Sequence, residues 1–301
     1  MLTRNPKIPL ASSRDVKDRR SRLVSGGAAL VEDSALSFLN PVALGHSSDY
    51  QVVVPYYGAF TWATGRLSTL MDVNRVLFVR AGEDFRETHP IAGTGHASLI
   101  VTPNVQVLEE MCRGAPVGRH VAFQSTSQPL GIKARLLTHR ILNLAADGGG
   151  EGLEGDELAI AVLQDVLANS MDRALPPPAR IVNQTKQILN ARCCEAVRLD
   201  DLARELGVSG VYLTQSFTRS EGMPLYRYLM QLRLSRALIE LPHRDSITDL
   251  ALDLGFSSHS HFTAAFRASF GLTPSEFRAS SLSQRTEVSV QAIRYPSSAR
   301  R

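Results

Sequence analysis

The sequence predicts an α+β protein of more than one domain, with a strand-rich N-terminal half and a helical C-terminal half. The chain has 301 residues, which is about two domains by the usual length per domain. Apolar residues make up 44% and charged residues 21%, so a fibrous or largely disordered protein is excluded. Near residue 129 the short β-branched and aromatic runs give way to helical spacing of apolar residues.

The positive charge is confined to the C-terminal part of the chain. The whole sequence has 33 Lys and Arg against 29 Asp and Glu, a formal net charge of +4. The first 178 residues are net −1, whereas the last 123 are net +5, and 15 of their 16 basic residues are arginine. This distribution favours a polyanionic partner for the C-terminal half, although a solvated basic surface would give the same sum.

Cysteine usage and hydropathy predict a cytoplasmic protein with no membrane association. Of the three cysteines, Cys193 and Cys194 are adjacent, which fits neither a disulfide framework nor a metal site. Reduced structural thiols are expected, and a vicinal-thiol redox sensor is the alternative. No stretch approaches the ~20 apolar residues of a membrane span, and residues 1–22 contain no apolar signal region.

The N-terminal half is predicted to be a β domain over residues 23–128. Residues 1–22 and 279–301 are polar and are expected to form disordered tails. Runs rich in β-branched and aromatic residues predict strands at 51–57, 60–64, 75–80 and 97–102. The turn formers that separate these runs include Gly58, Gly65 and Gly82. Many short strands at this spacing predict a sandwich or a small barrel.

A helical connector is predicted over residues 129–175. Helical spacing covers Ile132 to Ala146 and Glu157 to Met171, with a glycine-rich segment between them. The three prolines at 176–178 end the connector. The second helix has more apolar residues than one helix face needs, which either dimerisation or packing within the chain would explain.

Two segments between residues 180 and 278 resemble each other and predict a duplicated helix-turn-helix, at 199–220 and 247–270. Each reads apolar-x-Asp-Leu-Ala-x-x-Leu-Gly-apolar-Ser and continues into a helix with an inner phenylalanine. The alanine leaves room where the helices cross and the glycine ends the first helix. The second helix is expected to be capped by Ser209 in the first unit and by Ser257 or Ser258 in the second. The expected packing residues are Ala203, Gly207, Leu213 and Phe217 in the first unit and Ala251, Gly255, Phe262 and Phe266 in the second. Stacked helical hairpins share the apolar stripe, but two such copies in a basic domain favour helix-turn-helix.

One long helix is predicted between the copies, from Leu225 to Leu241. About 17 residues span roughly 25 Å at the usual helical rise. The helix would therefore hold both second helices at a spacing suited to successive major grooves on one face of DNA.

The repeat, the linking helix and the strings Leu254-Gly-Phe-Ser-Ser258 and Phe270-Gly-Leu-Thr-Pro-Ser-Glu-Phe277 resemble the DNA-binding domain of the AraC/XylS family of bacterial transcription regulators. The resemblance covers about residues 180–278. It implies a sequence-specific regulator with double-stranded DNA as its partner. A homodimer and contact with RNA polymerase are further expectations.

The resemblance also implies which side chains meet DNA. Base-facing residues are Val211, Thr214, Gln215 and Thr218 in the first unit and His259, Ser260, Thr263 and Ala264 in the second. Gln215 suits an adenine edge and Val211 a thymine methyl group. Phosphate contacts are expected from Ser209, Arg219, Ser258 and Arg267. Many relatives carry arginine where this chain has Ala264 or Ala265, so the second unit is expected to read few bases directly.

The N-terminal half resembles, more weakly, the cupin-like β-barrel that often precedes this DNA-binding domain. The resemblance rests on strand spacing and on Asn74-Arg-Val-Leu-Phe78 and Gly82-Glu-x-x-x-x-x-His-Pro90. It implies a sensory domain with a small-molecule effector, and an architectural DNA binder without effector is the alternative. The expected pocket residues are Tyr56, Phe60, Trp62, Phe78 and Phe85, which a packed aromatic core would also explain.

A cupin-type metal-dependent enzyme with an accessory helical domain is the alternative function. The candidate ligands are His46, Glu83, Glu87, His89 and His96, but no His-x-His pair is present. Nucleophile-elbow, Walker and dinucleotide-binding motifs are also missing from the sequence. We therefore expect no metal, no cofactor, no catalytic residue and no enzyme.

Overall fold

The computed structural model describes residues 19–36, 42–65, 67–91, 95–112, 123, 125–146, 153–168 and 180–280. Within them the chain is α+β, as expected: a strand-rich N-terminal region is followed by a helical C-terminal region. The expected tails and the three prolines at 176–178 lie mostly or wholly outside these ranges. No helix of the described ranges is long and apolar enough to cross a bilayer.

The described strands all lie before residue 130. They are β1 (Arg19–Ser25), β2 (Ala29–Leu36), β3 (Val42–Ser47), β4 (Gln51–Thr64), β5 (Leu67–Asp72), β6 (Arg75–Val79), β7 (Glu83–Thr88), β8 (His96–Pro103) and β9 (Ser127–Pro129). The first helix, α1 (Val105–Met111), follows β8. Because β1 begins at Arg19, the last part of the expected N-terminal tail is a strand, and Arg20 pairs there with Glu32 at 2.6 Å.

Helices make up the described chain after β9. They are α2 (Ile132–Ala146), α3 (Leu153–Ala168), α4 (Arg180–Ala191), α5 (Leu199–Glu205), α6 (Gly210–Glu221), α7 (Leu225–Glu240), α8 (Ile247–Asp253) and α9 (His259–Phe270). A 3-10 helix, Leu241–His243, follows α7, and residues 274–280 are again helical. Helix α3 begins four residues before the expected Glu157.

The strands form an antiparallel sheet in the order β1-β2-β8-β4-β6-β9, with β5 and β7 also paired to β4 and β3 paired to β7. Among the described strands these hydrogen bonds do not form a ring, so the closed barrel expected from the sequence is not seen. Strand β4 is 14 residues long. Its first half pairs with β6 and β8 and its second half with β5 and β7, which gives the sheet two facing parts.

Gly58 bends β4, whereas the sequence predicted a turn between two separate strands at this residue. Its φ is +68°, and a Cβ here would overlap the carbonyl oxygen of Gly95. The register against β8 also shifts between Pro55 and Tyr57. The bend therefore needs glycine, and it carries the second half of β4 away from β8 and onto β5 and β7.

One apolar core lies between the sheet and helices α2 and α3. The α3 side chains Leu158, Val162, Leu163, Val166 and Leu167 are buried within the chain. Packing within the chain therefore accounts for the apolar surplus of this helix. Residues 169–171, the expected end of the helix, lie outside the described ranges.

Candidate nucleic-acid interface

The two helix-turn-helix units have the same backbone hydrogen bonds at their turns. In the first, Gly207 has φ +68° and its N–H donates to the carbonyl of Arg204 at 3.2 Å. The N–H of Val208 donates to the carbonyl of Ala203 at 3.0 Å. This pair of bonds is a Schellman motif, which ends a helix on a left-handed residue. The second unit repeats it with Gly255 to Leu252 at 2.9 Å and Phe256 to Ala251 at 3.0 Å.

Serine caps begin the second helix of each unit. The side chain of Ser209 accepts from the N–H of Tyr212 at 3.2 Å, and that of Ser258 accepts from the N–H of His261 at 3.1 Å. Of the two serines that fit the second cap by sequence, the structure selects Ser258 over Ser257. Each cap leaves other first-turn N–H groups and the positive helix end facing solvent.

The side chains expected to pack the units are buried. Leu213, Phe217, Phe262 and Phe266 have 0% exposure, and Ala203 and Ala251 have 5% and 0%. They belong to two separate apolar clusters, one for each unit, which meet on α7. The outer faces of α6 and α9 are thereby left for solvent or a partner.

The outer face of α6 contains three of its four expected base-facing residues. Val211 is 68% exposed, and Gln215 and Thr218 are also exposed. Thr214 is half-buried, and its hydroxyl donates to the carbonyl of Gly210 at 2.7 Å. Its hydroxyl hydrogen is thus already used within the helix.

The outer face of α9 shows the same division. His259, Ser260 and Ala264 are exposed, whereas Thr263 is half-buried. The Thr263 hydroxyl is inaccessible and has no hydrogen-bond partner among the described residues. Thr263 is at the position in α9 that Thr214 has in α6, so both threonines lie at the edge of the exposed face.

Two aromatic residues at this surface were missed by the sequence analysis. Tyr212, beside Val211, is 53% exposed, and Tyr226 at the start of α7 is 63% exposed. The hydroxyl of Tyr226 is 3.4 Å from His261 Nε2, and Ser257 Oγ is 3.1 Å from His261 Nδ1. For Tyr212 the sequence signal was an aromatic residue in the first turn of a serine-capped helix. The expected phosphate contacts Arg219 and Arg267 are exposed in the last turns of α6 and α9.

Arg233 of α7 joins the turn that precedes the first unit to the turn of the second unit. Its guanidinium donates to the carbonyls of Cys193 at 2.7 Å, Glu195 at 2.7 Å and Gly255 at 2.6 Å. The first two carbonyls lie in the turn between α4 and α5, and the third lies in the turn of the second unit. A Cβ at Gly255 would be 2.5 Å from the carbonyl oxygen of Cys194. The two turns are therefore in direct contact around one side chain.

The first unit is also attached to the sheet through buried charges. Glu221, at the end of α6, is 3.1 Å from Arg75 Nη1 and 3.5 Å from Lys186 Nζ. Their side chains are 3%, 6% and 0% exposed. Burial lowers the pKa of Lys186, while the carboxylates of Asp72 and Glu221 oppose that change.

A second set of polar contacts continues this attachment around Asp72. Its carboxylate accepts from the hydroxyl of Tyr228 in α7 and, at 2.9 Å, from the side chain of Asn190 in α4. Burial raises the pKa of Tyr228 well above its usual value, and the charge of Asp72 adds to the rise. Asp72 and Arg75 flank the turn between β5 and β6, so this hairpin holds the first unit.

The two facing parts of the sheet line a half-open cavity of about 440 Å³. Three of the five residues expected to line an effector pocket do so: Phe60, Trp62 and Phe85. The rings of Trp62 and Phe85 stack with centres 4.0 Å apart. Among the described residues, the Trp62 Nε1, Glu87 Oε1 and Ser98 Oγ atoms are buried without a hydrogen-bond partner, and all three residues line this cavity.

Tyr56 and Phe78 do not line this cavity. Strand side chains alternate between faces, and Phe78 lies on the face toward α2 and α3, where its ring is 4.8 Å from that of Phe123. The Tyr56 hydroxyl donates to Asp33 at 2.5 Å. Tyr56 instead lines a second cavity, of about 450 Å³, between β4 and the turn that contains Cys193.

Three of the five candidate metal ligands lie together at the first cavity. Glu87 Oε1 is 3.6 Å from His96 Nε2 and 3.9 Å from His89 Nε2. Burial raises the pKa of Glu87 to about 7, and burial with the charge of His89 lowers that of His96 to about 3. The other two, His46 and Glu83, lie apart: His46 bonds Asp84 at the surface at 2.8 Å, and Glu83 accepts from the N–H of Arg80 at 3.1 Å.

The helical region matches known regulators. The family model described as a helix-turn-helix domain matches residues 202–280. The chain is 38% identical over 85 residues to the probable transcription factor PqrA of Proteus vulgaris, a match that covers 28% of this chain and 70% of that protein. It is 30% identical over 124 residues to the Msm operon regulatory protein of Streptococcus mutans, covering 40% of this chain and 44% of that relative. This match thus spans less than half the length of that regulator.

A solved AraC-type DNA-binding domain protein from Chromobacterium violaceum is 33% identical, with a TM-score of 0.32, over 34% of this chain and 91% of that one.

The two curated relatives bear the names of regulators, so the alternative of a metal-dependent enzyme gains no support. The match to PqrA, the duplicated unit and the family model lead to the same assignment. The chain belongs to the AraC/XylS family of transcription regulators, and its C-terminal region is a helix-turn-helix domain of the AraC type.

Proposed function

We propose that this protein binds specific double-stranded DNA sites through α6 and α9 and regulates transcription in response to a small molecule bound by its N-terminal half. The observation that carries the proposal is the pair of serine-capped helices with exposed outer faces, both fixed to α7. Two helices held in this way can enter successive major grooves, as in other helix-turn-helix proteins.

The first unit supplies most of the base reading in this proposal. Gln215 is exposed and can form two hydrogen bonds with an adenine edge, while Val211 packs on a thymine methyl group. Thr218 and the unforeseen Tyr212 extend the same surface. Because Thr214 is bonded to its own helix, we assign it to the rim of the interface.

The second unit supplies fewer base contacts. His259 and Ser260 are exposed at the start of α9 and can bond bases, but Ala264 offers only a methyl group. Ser209, Ser258, Arg219 and Arg267 are assigned to phosphates. Loss of any of them should weaken binding to all sequences, and loss of either arginine should also reduce its salt dependence.

The N-terminal half acts as a cupin-like sensory unit in this proposal. The cavity of about 440 Å³ has the volume of a small-molecule site. Its three unpartnered polar atoms favour a ligand that forms hydrogen bonds there, because buried polar groups without partners are costly. The β5–β6 hairpin, through Asp72 and Arg75, provides the contact by which the sheet can alter the first unit.

Two partner assignments complete the proposal. A homodimer would place two copies on repeated half-sites, and contact with RNA polymerase would convert binding into regulation. The apolar residues of α3 are buried inside the chain, so we do not assign the dimer contact to that face.

Selection of bound sites from a random DNA pool tests the proposal. The full chain should recover a consensus, and binding to that consensus should fall with salt. The variant Gln215→Ala should relax one position of the consensus. Equal binding to all sequences at moderate salt would contradict sequence-specific regulation. A thermal-shift screen of small molecules tests the sensory role, since a specific ligand raises apparent stability.

A further inference from the structure

Two histidines and a glutamate come together beside the first cavity, from one strand, the segment after it and the next strand. Glu87 belongs to β7, His89 follows β7, and His96 begins β8. One oxygen or nitrogen atom of each lies within 4.8 Å of the other two. The three side chains are 9%, 3% and 3% exposed.

The carboxylate of Glu87 is incompletely satisfied in this cluster. Its Oε1 atom is buried and has no hydrogen-bond partner among the described residues. The closest imidazole nitrogens are at 3.6 Å and 3.9 Å, beyond hydrogen-bond distance. A buried carboxylate oxygen without a donor is costly, and a cation between these atoms would remove that cost.

We infer that Glu87, His89 and His96 bind a divalent first-row transition-metal ion. Two imidazoles and one carboxylate suit Zn²⁺, Co²⁺, Ni²⁺ or Fe²⁺, whereas Mg²⁺ and Ca²⁺ prefer an all-oxygen set. Metal–ligand bonds of about 2.1 Å at tetrahedral angles put donor atoms roughly 3.4 Å apart. The separations from Glu87 are close to this value. Those separations are to the Nε2 atoms of both histidines, so the hydrogen bond of 2.9 Å between His89 Nε2 and His96 Nδ1 would have to break for His89 Nε2 to bind the ion.

The site leaves room for a further ligand of the metal. Glu87 and His96 line the cavity of about 440 Å³, so an ion held by them faces that space. Sites with three protein ligands keep such a position for water or a small molecule. The unpartnered Trp62 Nε1 and Ser98 Oγ atoms belong to the lining of the same cavity.

The inference deepens the effector role proposed above and rests on that role only for its consequence in transcription. Metal binding is measured on the protein alone. The test uses the full chain without a histidine tag, stripped with a chelator and titrated calorimetrically with Zn²⁺ or Co²⁺ alone. We expect one ion per chain, confirmed by elemental analysis, and a Co²⁺ absorption spectrum of a site with nitrogen and oxygen ligands.

Variants locate the ion. Glu87→Gln and His89→Gln each remove one ligand and should weaken binding about tenfold or more. The matched control is His46→Gln, because His46 is exposed and pairs with Asp84 outside the cluster; it should bind as the wild type does. The double variant Cys193→Ser/Cys194→Ser should also retain the ion, which excludes the adjacent thiols as the site.

Several outcomes would overturn the inference. The first is that the wild type binds no stoichiometric ion. The second is that both ligand variants bind the ion with unchanged affinity while melting, in chelator, at the wild-type temperature. The third is that only the thiol variant loses the ion. If a ligand variant melts at a lower temperature than the wild type, the Co²⁺ absorption spectrum of the near-isosteric variant Glu87→Gln decides whether Glu87 binds the ion. Consensus DNA binding is measured with and without the ion. A protein that binds DNA but no metal refutes this inference alone, and one that binds metal but no DNA refutes the proposed function alone.

Discussion

The two helix-turn-helix units share their local construction and differ in what surrounds them. The residue before the glycine that ends the second helix is Glu221 in α6 and Phe270 in α9. Glu221 meets Arg75 of the sheet and Lys186 of α4, whereas Phe270 packs into the apolar cluster of its own unit. The first unit is therefore attached to the N-terminal half by polar groups that require exact pairing, and the second is stabilised by its own core.

This difference assigns different tasks to the units. Among the described residues, Asp72 and Arg75 connect the sheet to α4, α7 and the end of α6, whereas α2, α7 and Arg233 connect it to the second unit. The first unit also has Gln215 where the second has Ala264. In the proposed function, base reading and attachment to the N-terminal half therefore coincide in the first unit, while the second unit mainly adds affinity for DNA.

The largest expected effect comes from breaking the buried ion pairs of the first unit. Glu221→Ala leaves Arg75 and Lys186 buried without their partner, so we expect the free energy of unfolding to fall by about 3–5 kcal/mol. Urea unfolding measures it. The control Arg267→Ala removes an exposed charge of the second unit and should change stability by less than about 0.5 kcal/mol. A loss below about 1 kcal/mol in Glu221→Ala would mean that the attachment does not depend on this pairing.

The next largest effect is expected from alanine at the glycines that end α5 and α8, and the loss of stability should differ between the two units. Gly207→Ala adds left-handed strain in open space and should cost about 1–2 kcal/mol. Gly255→Ala adds the same strain plus a clash with the Cys194 carbonyl, which is backbone and cannot turn aside. We expect the second variant to lose clearly more stability in the same urea assay. Equal losses would show that the Gly255 turn is not in tight contact with the α4–α5 turn.

Base reading by the first unit should appear in DNA affinity and leave stability unchanged. Gln215→Ala should cost about 1–3 kcal/mol of binding at one base position, whereas Arg219→Ala should weaken all sites alike and reduce the salt slope by about one. Fluorescence anisotropy with matched and mutated sites distinguishes the two. A uniform loss in Gln215→Ala would place that side chain on phosphate.

The smallest expected effect is in the reactivity of Cys193, which lies in the turn between α4 and α5, and the stability of the protein should not change. The bond from the Cys194 thiol, 3.6 Å away, lowers the pKa of Cys193 to about 6, and Arg236 assists. Alkylation of Cys193 by iodoacetamide should therefore rise through about pH 6 and level off near pH 7.5, as followed by mass spectrometry. Burial raises the pKa of Cys112, so this thiol is the slow internal reference. A rate for Cys193 that still increases tenfold per pH unit above 7.5 would refute the lowered pKa.

What could be predicted from the sequence depended on the distance between interacting residues. The turn at Gly207, the cap at Ser209 and the start of α7 at Leu225 follow from local rules, so the spacing of the repeat was sufficient to place them. The α2 helix likewise has the bounds that its periodicity predicts. The exposure of Tyr212 could be predicted only once Ser209 was recognised as the cap of α6, because the cap decides which side of the helix Tyr212 lies on.

The rest depended on pairings that no local pattern encodes. Asp72 and Tyr228 are 156 residues apart, and Arg75 and Glu221 are 146 apart. A search for His-x-His pairs missed the approach of His89 to His96, because these residues are seven apart along the chain and are brought together by the pairing of both β7 and β8 with β4. The alternation of β6 decided which face Phe78 occupies, and the sequence could not tell which face adjoined the helices.

The hydrogen bonds of Arg233 affect how much the second unit, which is expected to read few bases, contributes to DNA affinity. One guanidinium joins the α4–α5 turn, just before the first unit, to the turn of the second unit, so once α6 is seated, α9 searches only a small volume near the next groove. Its binding is then an intramolecular step with a high effective concentration, and little orientational entropy remains to be lost. A unit with Ala264 at its centre can thus add substantially to affinity while contributing little to sequence choice. The variant Arg233→Lys should weaken these hydrogen bonds and so widen the range of half-site spacings to which the protein binds.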